Sequence, residues 1–152
     1  MKAKDIMTKE IITIKEEDTV EVAAGILNEK GISGLPVVDE DHRLKGIITE
    51  GDLIRRVAKI SGPSTIEILG GILPLERKKD FIDKINRYMG YLVKDMMTKD
   101  VITISEDTEI EEIATLMVKE KIKRIPVVDG EKRLIGIISR RDIMKNLFDE
   151  IR

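Results

Sequence analysis

Two short patterns set a hydroxyl three places before a carboxylate: Thr49-Glu50-Gly51-Asp52 and Ser139-Arg140-Arg141-Asp142. At the start of a helix this spacing makes a capping box, in which the hydroxyl accepts a backbone N–H and the carboxylate reaches back to the cap residue. The free N–H groups and the dipole of the same helix end also suit an anion. The hydroxyl can serve both purposes, whereas the carboxylate is contested. The second pattern is crowded with cations, Lys121, Lys123, Arg124, Arg140 and Arg141, where the first has Gly31, Ser33, Gly34, Glu50 and Gly51. A charge run is usually a solvated face, yet these five come from two segments that flank one hairpin.

The patterns recur because the chain is duplicated. Sliding it by 90 residues aligns Lys4–Ile54 with Lys94–Met144 without a gap, and about 22 of roughly 51 positions are identical. Each copy opens with a β-branched run, Ile11–Ile14 or Val101–Ile104, expected as a first strand. A helix follows, its apolar face Val20, Ala23, Ala24 and Leu27 in one copy and Ile110, Ile113, Ala114 and Met117 in the other. Asp18 with Glu21, and Thr108 with Glu111, are expected as its capping boxes, and Gly31 as the end of the first helix. Leu35–Val38 to Leu44–Ile48, and Ile125–Val128 to Leu134–Ile138, read as antiparallel hairpins around "DEDHR" and "DGEKR". A second helix then opens at Thr49 or Ser139. The fold class is α+β, a β-α-β-β-α unit built twice, over residues 1–60 and 91–152.

Residues 61–90 form a connector. Gly and Pro breaks predict a loop in "SGPSTIEILGGILPLE", and Lys78–Leu92 sets Phe81, Ile82, Ile85, Met89 and Leu92 on one helical stripe. The Gly70-Gly71 pair could cradle a phosphate but is more often a turn.

Composition narrows the function classes. Lys and Arg number 27 against 29 Asp and Glu, a formal net charge of −2 that gives nucleic-acid binding no electrostatic support. With no Cys and one His, the residues offer neither a disulfide framework nor a zinc site. His42 reads as an exposed turn residue. The polar start "MKAKDIMTKE" is unlike a signal peptide, and no apolar run approaches the ~20 residues that span a bilayer, so a cytoplasmic protein is expected. Abundant Glu, Lys and Ile hint at a thermophilic source.

The order "DIMT…VITI…IPVVD…RLIGIISRRD", given twice, resembles the cystathionine-β-synthase-type (CBS) motif, and two in tandem resemble a CBS pair, or Bateman module. The resemblance implies pseudo-two-fold symmetry, modules that pair into dimers, and clefts where the motifs meet that bind AMP, ADP, ATP or S-adenosylmethionine. It implies that Asp52 and Asp142, with Thr49 and Ser139, hold a ribose. It implies an adenine pocket from Ile12, Thr13, Ile14, Ser33, Gly34, Leu35 and Pro36, and from Ile102, Thr103, Ile104, Lys123, Arg124, Ile125 and Pro126. For these runs, plain core packing is the competing reading. Lys121, Arg140 and Arg141 become phosphate candidates. No cofactor is required.

Three functions compete. The first is a regulatory, energy-sensing module that responds to an adenosyl ligand through an effector protein or its own homodimer, since no effector domain is legible in these residues. The second is a CBS-pair scaffold that binds nothing and serves dimerisation or docking. The third, an enzyme, lacks a nucleophile–base arrangement, a metal cluster or a Walker-type loop, and the expectation is no catalysis.

Overall fold

The computed structural model describes residues 1–61 and 91–151. The first repeat runs α1 (Ala3–Ile6), β1 (Ile14–Lys15), α2 (Val20–Lys30), β2 (Gly34–Val38), β3 (Leu44–Thr49) and α3 (Glu50–Ser61). The second runs α4 (Val93–Met96), α5 (Ile110–Lys119), β4 (Arg124–Val128), β5 (Leu134–Ser139) and α6 (Arg140–Ile151). Both hairpins form where the apolar runs and polar turns place them. In the second, Arg124 pairs with Ser139 and Ile125 with Ile138, antiparallel. Helix α2 ends as expected, with Gly31 in the left-handed region at φ 62°, its N–H donating to Leu27 and Asn28 carbonyls. Lys121, its counterpart, adopts the same region at φ 54° without glycine's freedom.

Several expectations need correction. The first strands are shorter than the β-branched runs: β1 is Ile14–Lys15, and in the second copy Ile104 alone makes a parallel bridge, to Val127. There the Ile104 N–H donates to the Pro126 carbonyl and the Val128 N–H to the Ile104 carbonyl. The next rung would need an N–H from Pro126 to the Ile102 carbonyl, and proline has none. Nor are the expected helix caps the ones used. Thr19 caps α2, its hydroxyl accepting the Val22 N–H at 3.3 Å, while Asp18 turns back to the Lys15 N–H at 2.9 Å. Glu109 stands at the start of α5 without a side-chain cap bond, and Thr108 instead shares a hydrogen bond with Ser105. Leu92 is extended, at φ −81° and ψ 148°, and leads into α4 rather than ending a helix. The rest of the Lys78–Leu92 stripe and Gly70-Gly71 lie outside the described residues.

The chain divides into two compact units whose borders cross those of the repeats. One holds 1–13, 38–45 and 100–152; the other holds 14–37 and 46–99. Each copy thus lends its leading segment to the other copy's core. In the first unit Ala3 and Ile6 of α1 are buried with Ile104, Ile110, Ile113, Met117, Ile125, Val127, Ile138 and Ile143. In the other, Val93 of α4 is buried with Ile14, Val20, Ala23, Leu27, Leu35, Val37 and Ile48. These helices have four residues each, too few to persist alone, so burial and backbone pairing hold them. Ala3 and Lys4 N–H donate to the Thr108 and Glu106 carbonyls, as Val93 and Lys94 donate to Asp18 and Glu16. Ion pairs repeat the arrangement, Lys4 to Asp107 at 2.8 Å and Lys94 to Glu17 at 3.4 Å.

Past each short helix, a Met-Thr pair lies against the returning hairpin strand. Thr8 and Ile137 exchange two backbone hydrogen bonds within one unit, and Thr98 and Ile47 exchange two within the other. This explains the glycine of "RLxGII". A Cβ on Gly46 would stand 2.7 Å from the Thr98 carbonyl oxygen and 2.8 Å from Met97 Sδ, and one on Gly136 would run into the Met7 side chain.

The aspartate and arginine of "VVDxxxR" close the hairpin turns. Asp39 Oδ1 accepts the Asp41 and Arg43 N–H groups, and Asp129 Oδ1 accepts those of Glu131 and Arg133. The bond from the Arg43 backbone holds the Asp39 carboxyl below its ordinary pKa, and that from Arg133 does the same for Asp129. The two turns then pair within one unit, Leu44 N–H to the Lys132 carbonyl and Leu134 N–H to that of His42. His42 and Lys132 occupy the same left-handed position, at φ 63° and 64°, and His42 is exposed as expected.

Candidate functional site

The two hydroxyl–aspartate patterns fall where strand becomes helix, β3 into α3 and β5 into α6. Antiparallel pairing brings each helix start beside the segment that precedes its hairpin. The Glu50 N–H donates to the Ser33 carbonyl at 3.1 Å, and the Arg140 N–H to the Lys123 carbonyl at 3.0 Å. Residues 17 apart in sequence thereby become neighbours, which joins the two segments that carry the cations of the second repeat.

Both capping boxes form. The Thr49 N–H donates to Asp52 Oδ2 at 2.9 Å, and the Asp52 N–H to Thr49 Oγ1 at 3.1 Å. In the second repeat the Ser139 N–H and hydroxyl both donate to Asp142 Oδ2 at 2.7 Å, and the Asp142 N–H reaches Ser139 Oγ at 3.3 Å. The carboxylate is therefore divided: Oδ2 fixes the helix start and leaves Oδ1 for other work. The two repeats use Oδ1 differently. Asp52 Oδ1 accepts Arg55 Nη2 at 2.7 Å and Thr98 Oγ1 at 3.2 Å. Asp142 Oδ1 accepts no hydrogen bond among the described residues, and neither Thr8 nor Lys145, the counterparts of Thr98 and Arg55, bonds to it.

Arg55 and Thr98 were not singled out from sequence. The signal for Arg55 was its place one turn after Asp52 on the same helix, where i,i+3 pairs meet. For Thr98 no local signal exists, because it reaches Asp52 only through the exchanged leading segment.

The adenine-pocket candidates divide by burial. Ile14, Gly34, Leu35, Pro36, Ile104, Ile125 and Pro126 are buried in the two cores, so what they can offer a ligand is backbone. Ile12 is 39% exposed, Thr103 and Lys123 are exposed, and Thr13, Ser33, Ile102 and Arg124 are half-buried. Ile12 and Thr13 fall in the compact unit of the second repeat, with Ile102, Thr103 and Lys123–Pro126, while Ile14 and Ser33–Pro36 fall in the other. Of the cations, Lys121, Lys123, Arg140 and Arg141 are exposed and make no ion pair among the described residues. Arg140 is oriented by Nε, which donates to the Ile122 carbonyl at 3.2 Å. Cations without carboxylate partners beside a helix N-terminus are chemically compatible with an anion. Among the described residues no group of three or more His, Asp or Glu could hold a metal, and no helix is long and apolar enough to cross a membrane.

A duplicated α+β module with exchanged leading segments and an aspartate at each strand-to-helix junction defines the class. The CBS domain model matches residues 3–59 and 93–149, and the chain belongs to this family. It is 39% identical over 144 residues to inosine-5'-monophosphate dehydrogenase of Methanocaldococcus jannaschii, covering 95% of this chain but only 23% of that enzyme. Among solved structures, CBSX2 of Arabidopsis thaliana in complex with AMP has a TM-score of 0.74 and 27% identity, over 99% of this chain and 98% of the other. The CBS domain pair of protein MJ0100 in complex with 5'-methylthioadenosine and S-adenosyl-L-methionine has a TM-score of 0.72 and 29% identity, over 100% and 98%.

Proposed function

We propose that this chain is a regulatory, non-catalytic module that binds an adenosine-containing ligand, AMP, ADP, ATP or S-adenosylmethionine, and passes the signal to an effector protein or to its own assembly. The single observation that carries the reading is Asp142. Its Oδ2 is committed to Ser139, and its Oδ1 stands without a partner among the described residues, at a helix N-terminus beside four cations that lack carboxylates. A carboxylate oxygen there suits a ribose hydroxyl, and Lys121, Lys123, Arg140 and Arg141 suit phosphates. In the first repeat Thr49 and Asp52 take the ribose role without the cations. The adenosyl ligands of CBSX2 and of the MJ0100 pair support this chemistry for the fold.

The test is calorimetry with AMP, ADP, ATP, S-adenosylmethionine and NAD, beside thermal melting, since a ligand of the folded state raises the melting temperature. Binding that Asp142→Asn weakens supports the reading; no binding of any of them at millimolar concentration overturns it. A scaffold is the second reading, favoured by Met144, Leu147 and Phe148, which lie on one face of α6 and are 65%, 38% and 57% exposed. It predicts a homodimer in sedimentation without ligand that Phe148→Ser weakens. A monomer at micromolar concentration, with and without ligand, would exclude it.

A further inference from the structure

Asp52 and Asp142 occupy equivalent positions and make equivalent capping boxes, yet among the described residues only Asp142 has an oxygen to spare. Asp52 Oδ1 is held by Arg55 Nη2 at 2.7 Å, and the Asp52 side chain is 9% exposed while that of Arg55 is 69% exposed. Thr98 Oγ1 adds a second bond at 3.2 Å. The guanidinium lies over Gly51, where a Cβ would be 3.1 Å from Arg55 Nη1. Gly51 thus leaves the space that Arg55 fills; the second repeat has Arg141 there, and Lys145, which makes no ion pair among the described residues, in place of Arg55.

We infer that Arg55 is a latch on the first repeat's carboxylate, so that a nucleoside diol meets Asp142 directly but reaches Asp52 only after displacing the guanidinium. The inference rests on the adenosyl-ligand reading above and deepens it. It makes the repeats unequal sensors, the second filling at lower ligand concentration and the first responding only when ligand is abundant. The latch is graded. Arg55 is mostly in water, where a pair of this kind shifts an equilibrium by about fivefold, equivalent to about 1 kcal/mol. It is also reversible, because the displaced side chain re-enters solvent without leaving a buried charge of its own. Arg55 acts on the ligand through Asp52 and is a specificity-determining residue rather than a ligand contact.

Adenosine is the probe, because without phosphate it leaves the cations of the second repeat out of the comparison. Asp142→Asn isolates the Asp52 site and Asp52→Asn isolates the Asp142 site, and each is titrated calorimetrically with Arg55 and with Arg55→Ala. The expected result is that adenosine binds the Asp142 site about fivefold more tightly than the Asp52 site. Removing Arg55 should tighten the Asp52 site by about the same factor and leave the Asp142 site unaltered. Raising the salt should favour the Asp52 site through the same pair, since screening weakens the latch. Binding at Asp52 that is unchanged or weakened by Arg55→Ala refutes the latch while the adenosyl-ligand reading stands. Absence of adenosine and AMP binding in every variant and in the unaltered chain overturns both. Melting curves of the four proteins establish that each is folded, and Arg55→Gln, which keeps the bulk and loses the charge, repeats the measurement independently.

Discussion

Replacing Gly46 with alanine isolates the contact that joins an exchanged leading segment to its host hairpin. The new Cβ would stand 2.7 Å from the Thr98 carbonyl oxygen, a backbone atom that itself accepts the Ile47 N–H at 3.0 Å. Relief requires the segment to move away from β3, which loosens both bonds exchanged between Ile47 and Thr98. Two loosened backbone hydrogen bonds at about 0.5 kcal/mol each, with overpacking of about 1–3 kcal/mol, place the loss near 2–4 kcal/mol. The corresponding change at Gly136 meets the Met7 side chain first, whose Sδ and Cγ can rotate aside although its Cβ, 3.0 Å away, moves only with the backbone, so a smaller loss of about 1–2 kcal/mol is expected. With a urea m-value of about 2 kcal/mol/M, Gly46→Ala should lower the unfolding midpoint by about 1–2 M, and Gly136→Ala by about half as much. Equal losses for the two variants, or a loss at Gly46 under about 0.5 kcal/mol, would refute the close-approach argument.

Deleting residues 1–9 should unfold the unit built around the second repeat, because Ala3 and Ile6 belong to its core; urea unfolding followed by proteolysis of residues 100–152 reads this out. Ile113→Ala, at a fully buried position, should cost about 2–5 kcal/mol in urea, whereas Val118→Ser, 78% exposed, should stay within about 0.5 kcal/mol. Asp39, Asp107 and Asp129 have folded-state carboxyl pKa values below the ordinary one, the causes being the Arg43 backbone bond, the Lys4 ammonium and the Arg133 backbone bond. Their contribution is complete above the unfolded pKa of about 4 and is lost as pH falls through the depressed folded values, so Asp39→Ala with Asp129→Ala should flatten the acid limb of a stability–pH curve.

Much of the fold was legible locally. The hairpins follow from alternating apolar runs around polar turns, and α2 and α5 from apolar spacing that returns Val20, Ala23, Leu27 and Ile110, Ile113, Met117 to one face. The helix starts at Thr49 and Ser139 were legible because a capping box is complete within four residues. Caps at Asp18 and Thr108 were misread because the neighbouring residue, Thr19 or Glu109, takes the cap position, a shift of one that the spacing of side chains leaves open. The length of the first strand was misread because β-branched residues report a preference for extended backbone, whereas pairing needs a donor on the neighbouring strand that Pro126 lacks.

By itself the sequence determined the duplicated α+β unit, the family, the positions of the hairpins and of the longer helices α2, α3, α5 and α6, and the capping boxes of Asp52 and Asp142, since each depends on contacts within a few residues or on comparison of one copy with the other. Only the tertiary structure decided that α1 and α4 each complete the opposite copy's core, why "RLxGII" requires glycine, and that Asp52 is bonded to Arg55 and Thr98 while Asp142 keeps an oxygen open among the described residues. The reason is separation along the chain. Thr98 is 46 residues from Asp52, and Lys4 is 103 from Asp107. Each copy in isolation could satisfy its pattern with either leading segment, and nothing in the order of the residues says which one it keeps.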